Sequence, residues 1–343
     1  MICKLCLQDK KPKSNTHYLS DFIIKTALNE DGVTTRGKGM YWEINSRKLT
    51  VDFKFQQQAS PKALENLLKR KTTAKENIDA ETNIDFTVSD SFCKECEDIF
   101  TKIETEFVSK IIPKFRNSNL KNVREKILNE KESRIARLFF LLQFWRTSQC
   151  DSGLNLSTQL NEKLRTKILA IDNTGLEDIP LSTTYLETIR DPDDRNNDNS
   201  YKTLNVVSVQ ERSDPSAIIM NDFVIQLYEN LQFPFFHFYG INNLDDYEDY
   251  LNYNQPIIKI KVLSNERRKG ILRAYFSQAA KLFIGNHALF FLDNFTQQYK
   301  KLPSNHQIEH YLRYISKNND LMKFSKENLV PNILKYFKRF YKY

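Results

Sequence analysis

The spacing of apolar residues changes several times along the chain, and each change marks a predicted element. Alternation over Gly39-Met40-Tyr41-Trp42-Glu43-Ile44 and over Lys48-Leu49-Thr50-Val51-Asp52-Phe53-Lys54-Phe55 predicts two strands around an Asn45-Ser46-Arg47 turn. Ser60-Pro61 opens a short helix, with serine as cap and proline in the first turn, and this helix ends in the basic run Lys69-Arg70-Lys71. Residues 75–83 are polar and read as loop. Ile99, Ile103, Phe107, Ile111 and Ile112 then recur at helical spacing. Residues 119–170 read as further helices. Within them Phe139-Phe140-Leu141-Leu142 is apolar on every side, which predicts a helix buried between layers.

The second half mixes the two periods. Residues 191–199 are polar, rich in Asp and Asn, and read as a solvated loop. Strand candidates follow at 204–209, 217–228, 233–239 and 257–262, where β-branched and aromatic residues sit among Pro and Asn punctuation. Helical spacing returns at 265–283, capped by Ser264, and at 288–299, 306–315 and 325–341.

Composition narrows the classes. Eight glycines in 343 residues, with no P-loop and no dinucleotide fingerprint, argue against Gly-rich phosphate-binding folds. The densest apolar stretch, 138–145, lies between Arg137 and Arg146 and is far shorter than the ~20 residues of a spanning helix. The N-terminus lacks the basic and apolar regions of a signal peptide, so a cytoplasmic location and no membrane partner are expected. Thiols there stay reduced, and paired cysteines bind metal more often than they form disulfides. A net charge of +8, from 51 basic against 43 acidic residues, favours a nucleic-acid partner only weakly, because it need not form a patch.

Four of the five cysteines form two C-x-x-C pairs, Cys3/Cys6 in C-K-L-C and Cys93/Cys96 in C-K-E-C. That spacing lets each pair turn both thiolates onto one ion, and two pairs complete a tetrahedral structural zinc site. The fifth, Cys150, follows an apolar helix and reads as a small buried hydrophobe. Knuckle, hairpin, then a second knuckle opening a helix is the order of a treble-clef zinc finger. The expected organisation is α+β: a zinc module over 1–118, a helical segment over 119–190 and a mixed α+β domain over 200–343.

The opening C-K-L-C-L-Q-D-K-K-P-K-S-N-T-H-Y-L-S-D-F resembles the start of bacterial HNH-endonuclease-like proteins, which open with C-x-x-C, a basic stretch and a Ser-His pair. F-C-K-E-C-E-D-I-F-T-K-I-E resembles their second half, and R-L-F-F-L-L-Q-F-W-R-T-S-Q resembles a Trp-Arg-x-Ser helical segment of the same proteins. The resemblance covers roughly residues 1–170. It implies metal-dependent cleavage of nucleic-acid phosphodiester bonds, with His17 as the base that deprotonates water and one Mg²⁺ or Mn²⁺ at the departing oxygen. A defence role is implied by the resemblance alone. The sequence departs from a full HNH site: Thr16 stands where a metal-binding Asp often precedes the histidine, and no His or Asn follows Cys96 in the first helical turn. Glu97, Asp98 and Glu104 are the carboxylates available to hold the cation instead. His17 as a zinc ligand, or as a hydrogen-bonded residue packed beside the knuckle, are the other readings.

Other residues read as structure first. Arg146 could bind phosphate or a carboxylate, or anchor a helix end. His306 and His310 are four apart on one helical face but lack the zincin order. The tail from Lys335 to Tyr343 interleaves basic and aromatic residues, as in stacking on nucleic acid or in an amphipathic helix with its rings inward. Two functional classes follow: an HNH-type endonuclease, or a non-catalytic zinc-bearing module that binds nucleic acid or protein.

Overall fold

A computed structural model describes residues 1–28, 40–45, 50–55, 61–68, 70–82, 86–116, 118, 120, 122–151, 153–187, 207–210, 215–231, 248–317 and 326–341. In chain order the elements begin with β1 (Thr16–His17), α1 (Asp21–Leu28), β2 (Met40–Asn45), β3 (Thr50–Phe55), α2 (Pro61–Leu68), α3 (Ala74–Thr82) and β4 (Thr87–Val88). Then come α4 (Lys94–Lys110), α5 (Pro113–Arg116), β5 (Glu125–Ile127), α6 (Glu130–Cys150), α7 (Thr158–Ala170), β6 (Leu181–Leu186), β7 (Val207–Gln210), β8 (Ser216–Met220) and β9 (Phe223–Leu227). The chain ends with β10 (Leu251–Asn252), β11 (Lys259–Leu263), α8 (Asn265–Tyr299), α9 (Asn305–Ser316) and α10 (Lys326–Phe340). The fold is mixed α+β.

The chain forms two compact units, Met1–Asp31 with Phe86–Arg273, and Gly32–Asp85 with Ala274–Tyr343. These divisions differ from the three consecutive segments expected over 1–118, 119–190 and 200–343. Helix α6 belongs to the same core as α4 and the sheet, so it is no separate layer. The β2–β3 hairpin falls in the second unit, and the cysteines fall in the first.

The first unit is built on a mixed sheet in the order β5-β11-β6-β9-β8-β7, with β10 also pairing β6. The pair β11–β6 is parallel, and the other pairs are antiparallel. Every residue of β6, β8 and β9 is buried, as in a sheet covered on both faces. The single strand expected over 217–228 is two, β8 and β9. They are joined at Asn221-Asp222, where Asn221 takes the left-handed conformation (φ 59°) that a tight hairpin turn requires. Asp222 accepts two hydrogen bonds from Arg116, Nε–Oδ2 2.6 Å and Nη2–Oδ1 2.9 Å, which tie α5 to that turn.

Helix α6 begins with a capping box, in which Asn129 and Glu132 satisfy each other's backbone N–H groups. From Ile135 through Thr147 it is buried on every side. Phe139 stacks on Phe107 of α4 with ring centroids 3.8 Å apart, and Phe223 of β9 closes on the edge of Phe107. Trp145 lies against Phe92 and Phe100. The run that is apolar on every side is thus sandwiched between α4 and the sheet.

The second unit packs Phe291, Phe295, Tyr311, Ile315, Ile333, Tyr336 and Phe337 into its own core. The tail's Tyr336 and Phe337 point inward, while Lys335, Lys338 and Arg339 are exposed, the amphipathic-helix arrangement. Two expectations are corrected here. The loop expected over 75–83 is helix as far as residue 82: α3 runs Ala74–Thr82, because Thr73 Oγ1 accepts from the Glu76 N–H (3.3 Å) and Glu76 Oε2 accepts from the Thr73 N–H (2.8 Å). The helices expected at 265–283 and 288–299 are one, α8, since no proline separates them and a lone Gly285 costs only about 1 kcal/mol. The candidate loop at 191–199, the strand at 233–239 with His237, and the turn at Ser46-Arg47 lie outside the described residues.

Candidate metal centre

The N-terminal segment is zipped along 86–93. Lys4 N–H donates to Ser91 O (3.0 Å), Lys13 N–H to Phe92 O (2.8 Å) and Tyr18 N–H to Phe86 O (2.9 Å), and β1 pairs with β4. This pairing sets the first C-x-x-C loop against the second, and Cys93 is the cap residue of α4. The first loop closes with Leu7 N–H on Cys3 O (2.9 Å) and Leu7 in the left-handed region (φ 59°), a conformation that costs a leucine roughly 1–2 kcal/mol. Lys4 Nζ donates to Gln149 O of α6, and Arg165 Nη1 of α7 donates to Leu5 O (2.8 Å).

The four ligand atoms of Cys3, Cys6, Cys93 and Cys96 all lie within 4.8 Å of one another. Tetrahedral zinc with bonds of about 2.3 Å places sulfurs about 3.8 Å apart, so the set can hold one metal ion such as zinc. Cys93 N–H points at Cys3 Sγ (3.4 Å), a backbone donor to a sulfur of the kind that supports a thiolate. Burial pushes the Cys3 thiol up, but backbone hydrogen bonds from Cys6, Cys93 and Leu5 outweigh it and bring it down to about 7. Burial raises Cys93 to about 11, and raises Cys96 further with its sulfur neighbours adding to it. Cys150 is partly buried and stands apart from the cluster, its thiol raised by burial to about 11. Among the described residues no other group of His, Cys, Asp and Glu converges in this way, His306 and His310 included. His310 Nδ1 instead meets the Tyr336 hydroxyl at 2.6 Å.

Beside this centre lies a polar cluster. Glu97, Phe100 and Glu104 follow Cys96 along one stripe of α4, spaced so that two turns separate the carboxylates. Arg146 of α6 crosses that stripe. Its guanidinium lies 4.5 Å from the centre of the Phe100 ring, donates from Nη1 to Glu104 Oε1 (2.7 Å), and stands 3.7 Å from Glu97 Oε1. Lys13 Nζ reaches Glu97 Oε2 at 4.0 Å. His17 Nε2 is 3.5 Å from Asp21 Oδ1. Ser20 N–H donates to Gln143 Oε1 (2.9 Å).

Burial raises both Glu97 and Glu104 above the usual carboxylate range. Arg146 opposes this at both, and like charges add to it, from Glu104 and Asp98 at Glu97 and from Asp21 at Glu104. Four buried atoms here, Ser20 Oγ, Glu97 Oε1, Gln143 Nε2 and Arg146 Nε, make no hydrogen bond among the described residues. Unfilled buried capacity concentrated in one place is unusual for purely structural polar groups.

The structure joins Glu97 and Glu104 through Arg146, pairs His17 with Asp21, and leaves Asp98 exposed. Arg146 meets carboxylates, one of the roles open to it in the sequence. Asp21, Ser20 and Gln143 were not anticipated; the i,i+4 spacing of His17 and Asp21 was the one available signal. No protein-family model, curated protein or solved structure matches this chain. No helix among the described residues is long and apolar enough to cross a membrane.

Proposed function

We propose that the chain is an HNH-type, metal-dependent endonuclease whose site sits on a zinc-held treble clef. One observation carries this reading. His17, Glu97, Glu104 and Arg146 come from the three separate stretches that resemble HNH-endonuclease-like proteins; Arg146 joins Glu97 and Glu104 on the helix that Cys93 caps, and His17 pairs with Asp21. The first knuckle, the β1–β4 pair and the second knuckle opening α4 follow treble-clef order, with β1–β4 in the place expected for β2–β3.

In this reading zinc at Cys3, Cys6, Cys93 and Cys96 is structural, holding β1 and its histidine against α4. His17 is partly exposed and accepts the proton of the attacking water. Asp21 beside Nε2 stabilises the imidazolium that forms and orients the ring. Lys13, half-exposed at the edge of the cluster, supplies charge for the nucleic-acid backbone. Glu97 and Glu104 are hard oxygen donors suited to Mg²⁺ or Mn²⁺, which when bound supplies positive charge at the departing oxygen.

A specific observation favours the second reading, a non-catalytic zinc-bearing module that binds nucleic acid or protein. Arg146 already neutralises the carboxylates that a cation would need. Incubation of the purified protein with DNA and RNA in Mg²⁺ or Mn²⁺ separates the two. Cleavage abolished by His17→Ala, with zinc content and nucleic-acid affinity retained, supports the endonuclease. Binding without cleavage across metals and substrates supports the module.

A further inference from the structure

We infer that Arg146 is a guanidinium lock on the carboxylate pair: it holds Glu97 and Glu104 in the cation-free protein, and a divalent cation displaces it from them. This rests on the cation-assisted reading above and adds an order of events to it.

The fold contains its own comparison. Arg116 meets Asp222 with two short hydrogen bonds, 2.6 and 2.9 Å, the two-pronged geometry of a settled arginine–carboxylate pair. Arg146 is buried more deeply, 3% exposed against 14%, but is held less completely. It has one short bond to Glu104 at 2.7 Å, and Glu97 Oε1 at 3.7 Å is beyond hydrogen-bond reach. Arg146 Nε and Glu97 Oε1 both lack a hydrogen bond, although Glu97 is only 6% exposed. Each partner thus keeps capacity that the other does not fill. Stacking on Phe100 supports the guanidinium plane independently of the carboxylates, so the ring can keep it in place when they turn away. A dication entering the carboxylate pair meets like-charge repulsion from the guanidinium, which favours displacement of one by the other.

The test uses the full-length, zinc-loaded protein and Mn²⁺ alone, with binding followed by electron paramagnetic resonance of free Mn²⁺ in the absence of nucleic acid. Arg146→Gln is expected to bind Mn²⁺ at least roughly tenfold more tightly than the unaltered protein, because the competing charge is gone. Arg146→Lys, which keeps the charge but not the fork, is expected to fall between them and serves where the glutamine variant does not fold. Glu97→Gln combined with Glu104→Gln is expected to abolish binding. If Mn²⁺ binds at these glutamates yet both Arg146 variants bind it no more tightly, the lock is wrong and the cation reading stands. If no variant binds Mn²⁺, the lock and the cation reading fall together.

Discussion

Replacing Cys96 with serine removes one of four sulfurs that lie within 4.8 Å of one another. Zinc bonds of about 2.3 Å imply sulfur separations near 3.8 Å, so the site needs to contract by no more than about 1 Å to hold the ion. Metal that binds the folded module and not the unfolded chain stabilises by mass action, by about 4 kcal/mol when free zinc exceeds the dissociation constant a thousandfold. That is a large share of the roughly 5–15 kcal/mol that keeps a domain folded. The loss is local, because the cluster joins the first loop to the start of α4 and, through Lys4 and Arg165, to α6 and α7. Purified protein is expected to carry one zinc per chain, and Cys96→Ser to carry none under the same preparation. Hydrogen exchange in the variant should rise first across residues 1–20 and 86–100. Zinc uptake should also release protons, at least about two per ion, since Cys93 and Cys96 are both held protonated at neutral pH and bind as thiolates. Calorimetry in buffers of different ionisation enthalpy counts them, and affinity should fall steeply as pH drops. Stoichiometric zinc retained in Cys96→Ser, or unaltered protein whose melting ignores both zinc and chelator, would refute the reasoning.

Asp222→Asn leaves the Arg116 guanidinium facing a neutral amide in a largely buried place, and should cost about 3 kcal/mol in urea unfolding; a change below about 1 kcal/mol would show that the pair contributes little net stability. Burial lowers His287 from 6.5 to about 4, so the unfolded chain takes up a proton near pH 6.5 that the folded one refuses. The second unit should therefore keep this contribution above pH 6.5 and lose up to about 3 kcal/mol as pH falls from 6.5 towards 4. Unfolding profiles of His287→Gln should lose that acid slope, and an unchanged slope would assign it to other groups.

Local pattern was enough for several features. The hairpin at β2–β3, the helix after Cys96 and the burial of α6 follow from periodicity, because the spacing of apolar residues records which face of an element leaves water. The two C-x-x-C pairs marked the residues that can hold a metal, since that spacing lets neighbouring thiolates share an ion. The signal for α3 was also present, in Thr73 followed three residues later by Glu76, but the polarity of 75–83 obscured it. Strand β6 could not be read this way. Leu181-Ser182-Thr183-Thr184-Tyr185-Leu186 is buried at all six positions, so being covered on both faces erased the alternation that marks a strand. Partner choice was likewise settled by packing. Arg146 meets Glu104 across 42 residues of sequence because Phe107 and Phe139 stack α4 against α6. The β2–β3 hairpin falls in the second unit, although it lies between the knuckles in sequence. Periodicity specifies a buried face but carries no address for what covers it; only the complementary shapes of distant side chains decide that.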